Sequence, residues 1–225
     1  MDLRVASYNV KAFRLGFGEV VNLARALEAD ILLVQESGSR RTLRRLATAL
    51  EMHRASDPIS AFRRRVKDAV LVRPPWRIIG HRLHRFEASQ RLYPRGALVA
   101  QVGRAGRRVW VVSTHFGLAP AERLDHSRAL VELLAPLEAP LVLGGDFNET
   151  PDRKAVRRIG ERYRDVWASG SRGAGATFPA ADPSARIDYL FVSEDVRIGR
   201  VEVPVAARPA SDHLPVVADL TIETG

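Results

Sequence analysis

Eight short apolar runs, spread over the whole chain, constrain its fold more than any other feature. In chain order they read LRVASYNV, DILLVQE, AVLVR, ALVAQV, RVWVVSTHF, PLVLGGDF, RIDYLFVS and PVVADLTI. Short runs rich in valine, leucine and isoleucine predict buried β-strands. Between some of them, residues 18–28, 39–51 and 120–134 repeat apolar side chains at the spacing of amphipathic helices. Because strands outnumber helices, the pattern predicts two sheets packed together with helices outside.

The length of the chain, 225 residues, favours a single domain over residues 1–225. The stretch GSRGAGATFPAADPS, residues 170–184, is rich in glycine, alanine and proline, which predicts a loop. We interpret this stretch as a surface loop and not as a linker between domains. The reason is that the run RIDYLFVS after it is too apolar to end a domain alone.

Composition removes several classes of protein. No stretch approaches the roughly 18 apolar residues that a membrane-spanning helix requires, and MDLRVASYNV reads as a strand and not as a secretory signal. We therefore expect a cytoplasmic protein without stable membrane association. Because the chain has no cysteine, it has no disulfide, no thiolate zinc site and no cysteine nucleophile.

The chain is strongly basic, with a formal net charge of +9. Such an excess favours polyanionic partners such as nucleic acid. Lysine occurs only as Lys11, Lys67 and Lys154, so arginine supplies nearly all of the positive charge. A composition bias towards arginine explains the same excess, and the sequence leaves both interpretations open. No feature indicates an obligate protein partner, and a monomer is the default expectation.

Polar side chains able to bind a ligand stand in or at the ends of six of these segments. They are Asn9, Gln35, Glu36, His115, Asp146, Asn148, Asp188, Asp212 and His213. Each alone has a common structural explanation, since Asp or Asn after a strand usually forms a turn or caps a helix. If the strand ends converge, the side chains form one pocket rich in carboxylate, amide and imidazole groups. Such an oxygen-rich set suits a hard divalent cation, Mg²⁺ or Mn²⁺.

These segments resemble the motifs of the endonuclease/exonuclease/phosphatase superfamily, which includes DNase I, AP endonucleases, neutral sphingomyelinases, inositol polyphosphate 5-phosphatases and deadenylases. The similar stretches are ASYNV, LLVQE, STHF, GGDFNET, RIDYLFVS and SDHLPVVADL, which cover nearly the whole chain in the expected order. Each motif alone is unspecific, and the ordered series carries the resemblance. It implies an α/β fold, a four-layered α/β sandwich in which two mostly antiparallel β-sheets pack face to face, flanked by helices, as in DNase I.

The resemblance also implies a metal site and a residue that orients or deprotonates the attacking water. By likeness to the family, Glu36 is the principal Mg²⁺ ligand, with Asn9 and Asp212 nearby. Asp146 orients or deprotonates the attacking water, assisted by Asn148. Hydrolysis of a phosphodiester by in-line attack needs such a nucleophile together with neutralised phosphate oxygens.

The same resemblance gives roles to two histidines. His213 hydrogen-bonds the scissile phosphate or acts as an acid–base group, oriented by Asp188, and His115 contacts the phosphate or assists the leaving group. Two positions depart from the pattern of AP endonucleases. Lys11 stands where those enzymes carry an acid, which disfavours a second metal there, and Ala185 replaces an aromatic residue of their sugar pocket.

Substrate binding is assigned to basic and aromatic positions around the predicted site. Arg63, Arg64 and Arg65 form a basic run in a loop-like segment, Arg95 precedes a strand, and Phe178 lies in the glycine-rich loop. Cations around an acidic, metal-binding centre hold a polyanion through its phosphates.

Three functional hypotheses follow from these features. The first is a metal-dependent endonuclease or exonuclease acting on DNA or RNA. The second is a phosphatase or phosphodiesterase of small phosphate esters or lipid head groups, and the third is an inactive nucleic-acid-binding module. The presence of Glu36, Asp146 and His213 argues against the third.

Overall fold

The computed structural model describes residues 1–58, 64–87, 92–138, 140–205 and 210–223. Within these ranges the strands belong to two six-stranded sheets. They are β1 (Asp2–Asn9), β2 (Ile31–Gln35), β3 (His53–Ser56), β4 (Ala69–Val72), β5 (Arg77–Arg85), β6 (Gly96–Arg104), β7 (Arg107–His115), β8 (Leu141–Asp146), β9 (Arg164–Asp165), β10 (Asp188–Val192), β11 (Val196–Glu202) and β12 (Val216–Ile222). The helices are α1 (Phe17–Ala26), α2 (Arg40–Ala49), α3 (Pro120–Leu134), α4 (Lys154–Gly160) and α5 (Val166–Gly170), with a 3-10 turn over Lys11–Phe13.

The strand order differs from the chain order in both sheets. The first sheet runs β11-β12-β1-β2-β4-β3, and the second runs β5-β6-β7-β8-β10-β9. β1 pairs with β2 in parallel, as β7 does with β8, and the other pairs of strands in the described residues are antiparallel. The prediction of two mostly antiparallel sheets is confirmed.

Three apolar layers separate the sheets and helices. In the first sheet, Val5 belongs to the layer between the two sheets, whereas Tyr8 on the same strand packs with residues of α1 and α2. In the second sheet, Val111 faces the layer between the sheets, and Val112 packs with residues of α3 and α4. Strands buried on both faces need apolar side chains at nearly every position, which explains the continuous apolar runs. The result is the predicted four-layered α/β sandwich.

The predicted helices are present, with shifted ends. α1 covers Phe17–Ala26 where the sequence predicts 18–28, and α2 covers Arg40–Ala49 where it predicts 39–51. α3 has the predicted bounds, 120–134. Ser39 lies outside α2 as its N-cap, since its side chain accepts a hydrogen bond from the Thr42 N–H.

Several elements lack a periodic signal in the sequence. β5 is an edge strand whose side chains are largely exposed and basic, so it shows no apolar alternation. α4 and α5 have seven and five residues, which is too short for a helical repeat of apolar side chains to stand out.

The two parallel pairs of strands bring their carboxyl ends together. Asn9 is the register partner of Gln35 at the ends of β1 and β2, and His115 is the partner of Asp146 at the ends of β7 and β8. Asp188 begins β10 opposite Asp146. Side chains from both sheets therefore reach one edge of the sandwich.

Candidate active site

A cavity of about 560 Å³ opens at this edge. Its lining includes the predicted site residues Asn9, Glu36, His115, Asp212, His213, Arg64, Arg65 and Arg95. Asp146 and Asp188 are buried, and they contact the cavity-lining imidazoles of His115 and His213. The ends of both sheets thus contribute to one site.

Asp146 accepts hydrogen bonds from several elements at once. Its Oδ2 accepts from Asn9 Nδ2 at 2.9 Å, and its Oδ1 accepts from the Asn148 N–H at 2.9 Å. The Nε2 atoms of His115 and His213 lie 3.2 and 3.7 Å from Oδ2. Burial raises the pKa of Asp146, but the neighbouring imidazoles and the hydrogen bonds outweigh burial and hold the pKa below its usual range. The group is therefore a carboxylate at neutral pH and a weak proton acceptor.

His213 and Asp188 form a buried pair. His213 Nδ1 lies 2.8 Å from Asp188 Oδ2, and the same oxygen accepts a hydrogen bond from Thr177 Oγ1 at 2.6 Å. Burial lowers the pKa of His213, but the charges of Asp188 and Asp146 more than compensate and raise it to about 10. His213 is accordingly an imidazolium at neutral pH, held in one orientation by the carboxylate.

Arg95 determines the tautomer of His115. Arg95 Nη1 lies 2.6 Å from His115 Nδ1, and a guanidinium group only donates hydrogen bonds. His115 Nδ1 must therefore be the acceptor, so the ring proton sits on Nε2 and points towards Asp146. Asn148 Nδ2, 3.1 Å from Nε2, donates to the Phe116 carbonyl at 3.0 Å. His115 consequently offers its Nε2–H at the floor of the site.

Arg95→Met tests this tautomer directly. We expect wild-type His115, in metal-free protein, to show a protonated Nε2 and an unprotonated Nδ1 in ¹⁵N NMR spectra. Loss of the guanidinium should weaken the preference for this tautomer, because Asp146 Oδ2, 3.2 Å from Nε2, then favours it alone. Arg95→Lys keeps a donor and serves as the control. A wild-type spectrum with the proton on Nδ1 would contradict the assignment.

Oxygen ligands for a cation face the same cavity. Glu36, Asn9 and Asp212 line it, and no side chain of the described residues pairs with the Glu36 carboxylate. Asn9 Oδ1 accepts from the Lys11 N–H at 3.0 Å, and Asp212 Oδ2 pairs with Lys11 Nζ at 2.7 Å. This set of carboxylate and amide oxygens fits a hard divalent cation.

A second group of possible ligands lies deeper in the protein. One ligand atom from each of Asp146, Asp188 and His213 lies within 4.8 Å of the other two. The hydrogen bond between His213 and Asp188 already occupies two of these groups. Both groups together make the edge of the sandwich compatible with metal binding.

The predicted substrate-binding residues divide into three kinds. Arg64 and Arg95 line the cavity, whereas Arg65 lines it and also donates to Ser37 Oγ at 3.1 Å. Phe178 is not among the cavity-lining residues, and its ring lies 4.9 Å from that of His213. Arg63 lies outside the described residues.

The structure adds site residues that the sequence does not reveal. Thr177 lies in the stretch interpreted as a surface loop, but its side chain is fully buried against Asp188. Asp68 lines the cavity, is 1% exposed, and has no hydrogen-bond partner for Oδ2 within the described residues. Burial raises the pKa of Asp68 well above its usual range. Neither residue stands in a motif, so only the fold reveals their position.

Comparison with known proteins identifies the family. A sequence-family profile described as the Endonuclease/Exonuclease/phosphatase family matches residues 6–213. A search of curated protein sequences finds no significant match. Among the described residues, no helix has the length and apolar character needed to cross a membrane.

Solved structures show the same fold. An endonuclease/exonuclease/phosphatase from Bacteroides vulgatus is 22% identical, with a TM-score of 0.84 over 99% of this chain and 100% of that one. D. rerio TDP2, complexed with a single-strand DNA product, is 16% identical, with a TM-score of 0.80 over 98% and 99%. A mannosyl-6-phosphatase from Bacteroides thetaiotaomicron is 18% identical, with a TM-score of 0.79 over 97% and 99%. The profile match, supported by this DNase I-like fold, shows that the chain belongs to the endonuclease/exonuclease/phosphatase family.

Proposed function

We propose that this protein is a divalent-metal-dependent hydrolase that cleaves phosphodiester bonds in nucleic acid. The observation that carries the proposal is the cavity itself. It joins the carboxylate and amide oxygens of Glu36, Asn9 and Asp212 to the imidazoles of His115 and His213. We also propose that residues 1–225 act as one domain, because β1 near the start pairs with β12 near the end in one sheet.

Glu36, Asn9 and Asp212 would hold Mg²⁺ or Mn²⁺ in this proposal. When bound, the ion neutralises charge on the phosphate oxygens as a Lewis acid. Glu36 suits the principal role because it lines the cavity without a cationic partner among the described residues, whereas Asp212 is already paired with Lys11. The Lys11 ammonium places a further positive charge beside the phosphate-binding region.

Asp146 would orient the attacking water. Asn9 and the Asn148 N–H fix both carboxylate oxygens, so a water that donates to Asp146 is held in a defined direction. The low pKa of the carboxylate favours a positioning role over full removal of the proton before attack. A positioning role requires that the Asp146 carboxylate stay ionised, and its low pKa keeps it so.

The two histidines would stabilise developing negative charge. His213 supplies a positive N–H donor at Nε2, because Asp188 occupies Nδ1. As a protonated ring it is also positioned to give a proton to the leaving oxygen. His115 offers an N–H from Nε2, because its Nδ1 faces Arg95. Fixed donors around a phosphate are worth most where water is excluded.

Nucleic acid is the proposed substrate because cations surround the acidic centre. Lys11, Arg14, Arg64, Lys67 and Arg95 line the cavity, and a polyanion extends over such a rim through its phosphates. The fold alone does not select it, since TDP2 and the mannosyl-6-phosphatase share the fold. A small phosphate ester is therefore the alternative that the experiment below must distinguish.

The experiment compares substrates under one set of conditions with and without Mg²⁺. We expect hydrolysis of DNA or RNA oligonucleotides and of bis(4-nitrophenyl) phosphate, and loss of both when EDTA removes the ion. Sphingomyelin and sugar phosphates serve as competing substrates. Turnover of only these small esters or the lipid, with nucleic acids untouched, would end the nuclease proposal.

Glu36→Gln should weaken binding of the metal ion even in the absence of substrate. The substitution removes one negative charge from the proposed ion site, so we expect the Mn²⁺ dissociation constant to rise by at least about tenfold. Isothermal titration calorimetry of Mn²⁺ without substrate gives the measurement. Glu122→Gln is the matched control, since Glu122 lines the same cavity but caps α3 through the Ala119 N–H. Equal affinities of wild type and Glu36→Gln would contradict the ligand assignment.

A further inference from the structure

The two walls of the cavity differ in chemistry. Loops of the first sheet supply Lys11 and Arg14 after β1, and Arg64, Arg65 and Lys67 before β4. Segments of the second sheet supply Leu92 and Tyr93 before β6 and Leu118 after β7, with Arg95 and Glu122 as charged groups on the same side. The first side, which we call the cationic wall, carries five cations beside the acids Glu36, Asp68 and Asp212. The other contains an exposed patch, which we call the apolar wall (Leu92, Tyr93 and Leu118), with two aliphatic side chains and one aromatic ring.

The apolar wall is unusually open to solvent. Leu92, Tyr93 and Leu118 are 60%, 61% and 66% exposed. They are three of the six large apolar side chains that are exposed within the described residues. The contact of such side chains with water is unfavourable, and their grouping on one side of a cavity indicates a place for an apolar group of a ligand.

The apolar wall adjoins the reacting groups. Tyr93 stands two residues before Arg95, whose guanidinium contacts His115, and Leu118 stands three residues after His115. A ligand whose phosphate lies at His115 would therefore have its neighbouring group beside Tyr93 and Leu118. The ligand that fits has an anionic chain along one side and a flat apolar group on the other.

We propose that the apolar wall is a binding subsite for an unpaired nucleobase, and that the preferred substrate is consequently single-stranded nucleic acid. This inference rests on the function proposed above. Aromatic side chains stack on bases of single strands with little dependence on sequence. A duplex keeps its bases stacked inside, so a base reaches the subsite only after costly unstacking. The cationic wall follows the backbone, and the apolar wall takes the base.

Two phosphodiesters with the same leaving group isolate the contribution of the base. Thymidine 5′-(4-nitrophenyl phosphate) carries a base, whereas methyl 4-nitrophenyl phosphate carries none. Tyr93→Ala should lower kcat/KM for the thymidine diester by about tenfold, the loss of one stacking contact, and leave the methyl diester within about twofold. Tyr93→Phe keeps the ring and should retain wild-type values. Ile79→Ala is the matched control, because Ile79 is exposed on β5 and does not line the cavity.

An oligonucleotide in single-stranded and duplex form completes the test. We expect faster cleavage of the single strand by wild type, and a smaller difference for Tyr93→Ala. Equal cleavage of both forms by wild type, or equal losses on both diesters in Tyr93→Ala, would overturn the base subsite.

Binding measurements test the base subsite separately from the proposed function. If no phosphodiester is hydrolysed, the proposed function fails, and fluorescence anisotropy with a labelled oligonucleotide still tests the subsite. Tighter binding of the single strand than of the duplex, weakened by Tyr93→Ala, supports the subsite, and equal binding overturns it. Wild-type protein could instead bind sphingomyelin vesicles, and Tyr93→Ala could abolish this binding without changing hydrolysis of the thymidine diester. That result would assign the apolar wall to a lipid surface and would also overturn the base subsite.

Discussion

Asp146→Asn should lower turnover by on the order of 10³-fold or more, the largest loss expected of any single substitution in this protein. The asparagine side chain has the same shape but no charge. It cannot accept hydrogen bonds at both positions, so the donors Asn9 Nδ2 and the Asn148 N–H cannot both be satisfied. The attacking water would lose its acceptor, and the imidazolium of His213 would lose one of its two neighbouring carboxylates.

The measurement is steady-state hydrolysis of bis(4-nitrophenyl) phosphate and of a single-stranded oligonucleotide with Mg²⁺. Circular dichroism and thermal unfolding show whether the variant is folded. Asp30→Asn is a suitable control, because Asp30 also accepts a backbone hydrogen bond, from the Arg4 N–H at 2.8 Å. It lies before β2, at the end of that strand opposite to Glu36. A folded Asp146→Asn protein with wild-type turnover would remove Asp146 from the proposed mechanism.

The sandwich could be predicted because its strands are buried on both faces. Val5 and Tyr8 on β1 face opposite apolar layers, so the sequence must be apolar at both positions. The edge strand β5 meets solvent and carries arginine and histidine, so nothing in its sequence marks it as a strand. A strand buried on both faces leaves an apolar run in the sequence, whereas an exposed edge strand held by backbone hydrogen bonds leaves no such run.

The convergence of the candidate site follows from the parallel pairing of β1 with β2 and of β7 with β8. Motifs at the ends of these strands could be recognised one by one, but their distances depend on how the two sheets face each other. The contact between Asn9 and Asp146 joins residues 137 positions apart and crosses from one sheet to the other. No local pattern encodes such a distance.

Contacts that set the chemistry of the site were harder to predict. The sequence predicts that Arg95 binds substrate, and its contact with His115 Nδ1 gives it a further role in fixing a tautomer. Thr177 had no signal, because a single threonine in a loop rich in glycine and alanine resembles any surface residue. Its burial against Asp188 depends on the path of the whole loop.

Asp188→Asn should lower the pKa of His213 from about 10 towards its ordinary value of 6.5, because the closest of the neighbouring charges is removed. A raised pKa stabilises the folded protein at pH below the ordinary value, and this stabilisation is lost as pH rises through about 10. Between pH 6.5 and about 10, His213 keeps its proton in the wild-type protein and releases it in the variant. Turnover at pH 8 should fall by about 10²-fold, because a neutral, less well oriented ring donates less effectively.

NMR titration of His213 in metal-free protein measures the shift directly, and the pH dependence of unfolding free energy gives an independent value. Thr177→Val removes a hydrogen bond from Asp188 but leaves its charge, so it should lower turnover less than Asp188→Asn does. If turnover and the pKa of His213 both fall in the order wild type, Thr177→Val, Asp188→Asn, the Asp188 carboxylate acts through the imidazole. An unchanged pKa of His213 in Asp188→Asn would show instead that Asp146 alone holds the ring in its charged form, and the pair would then have only a structural role.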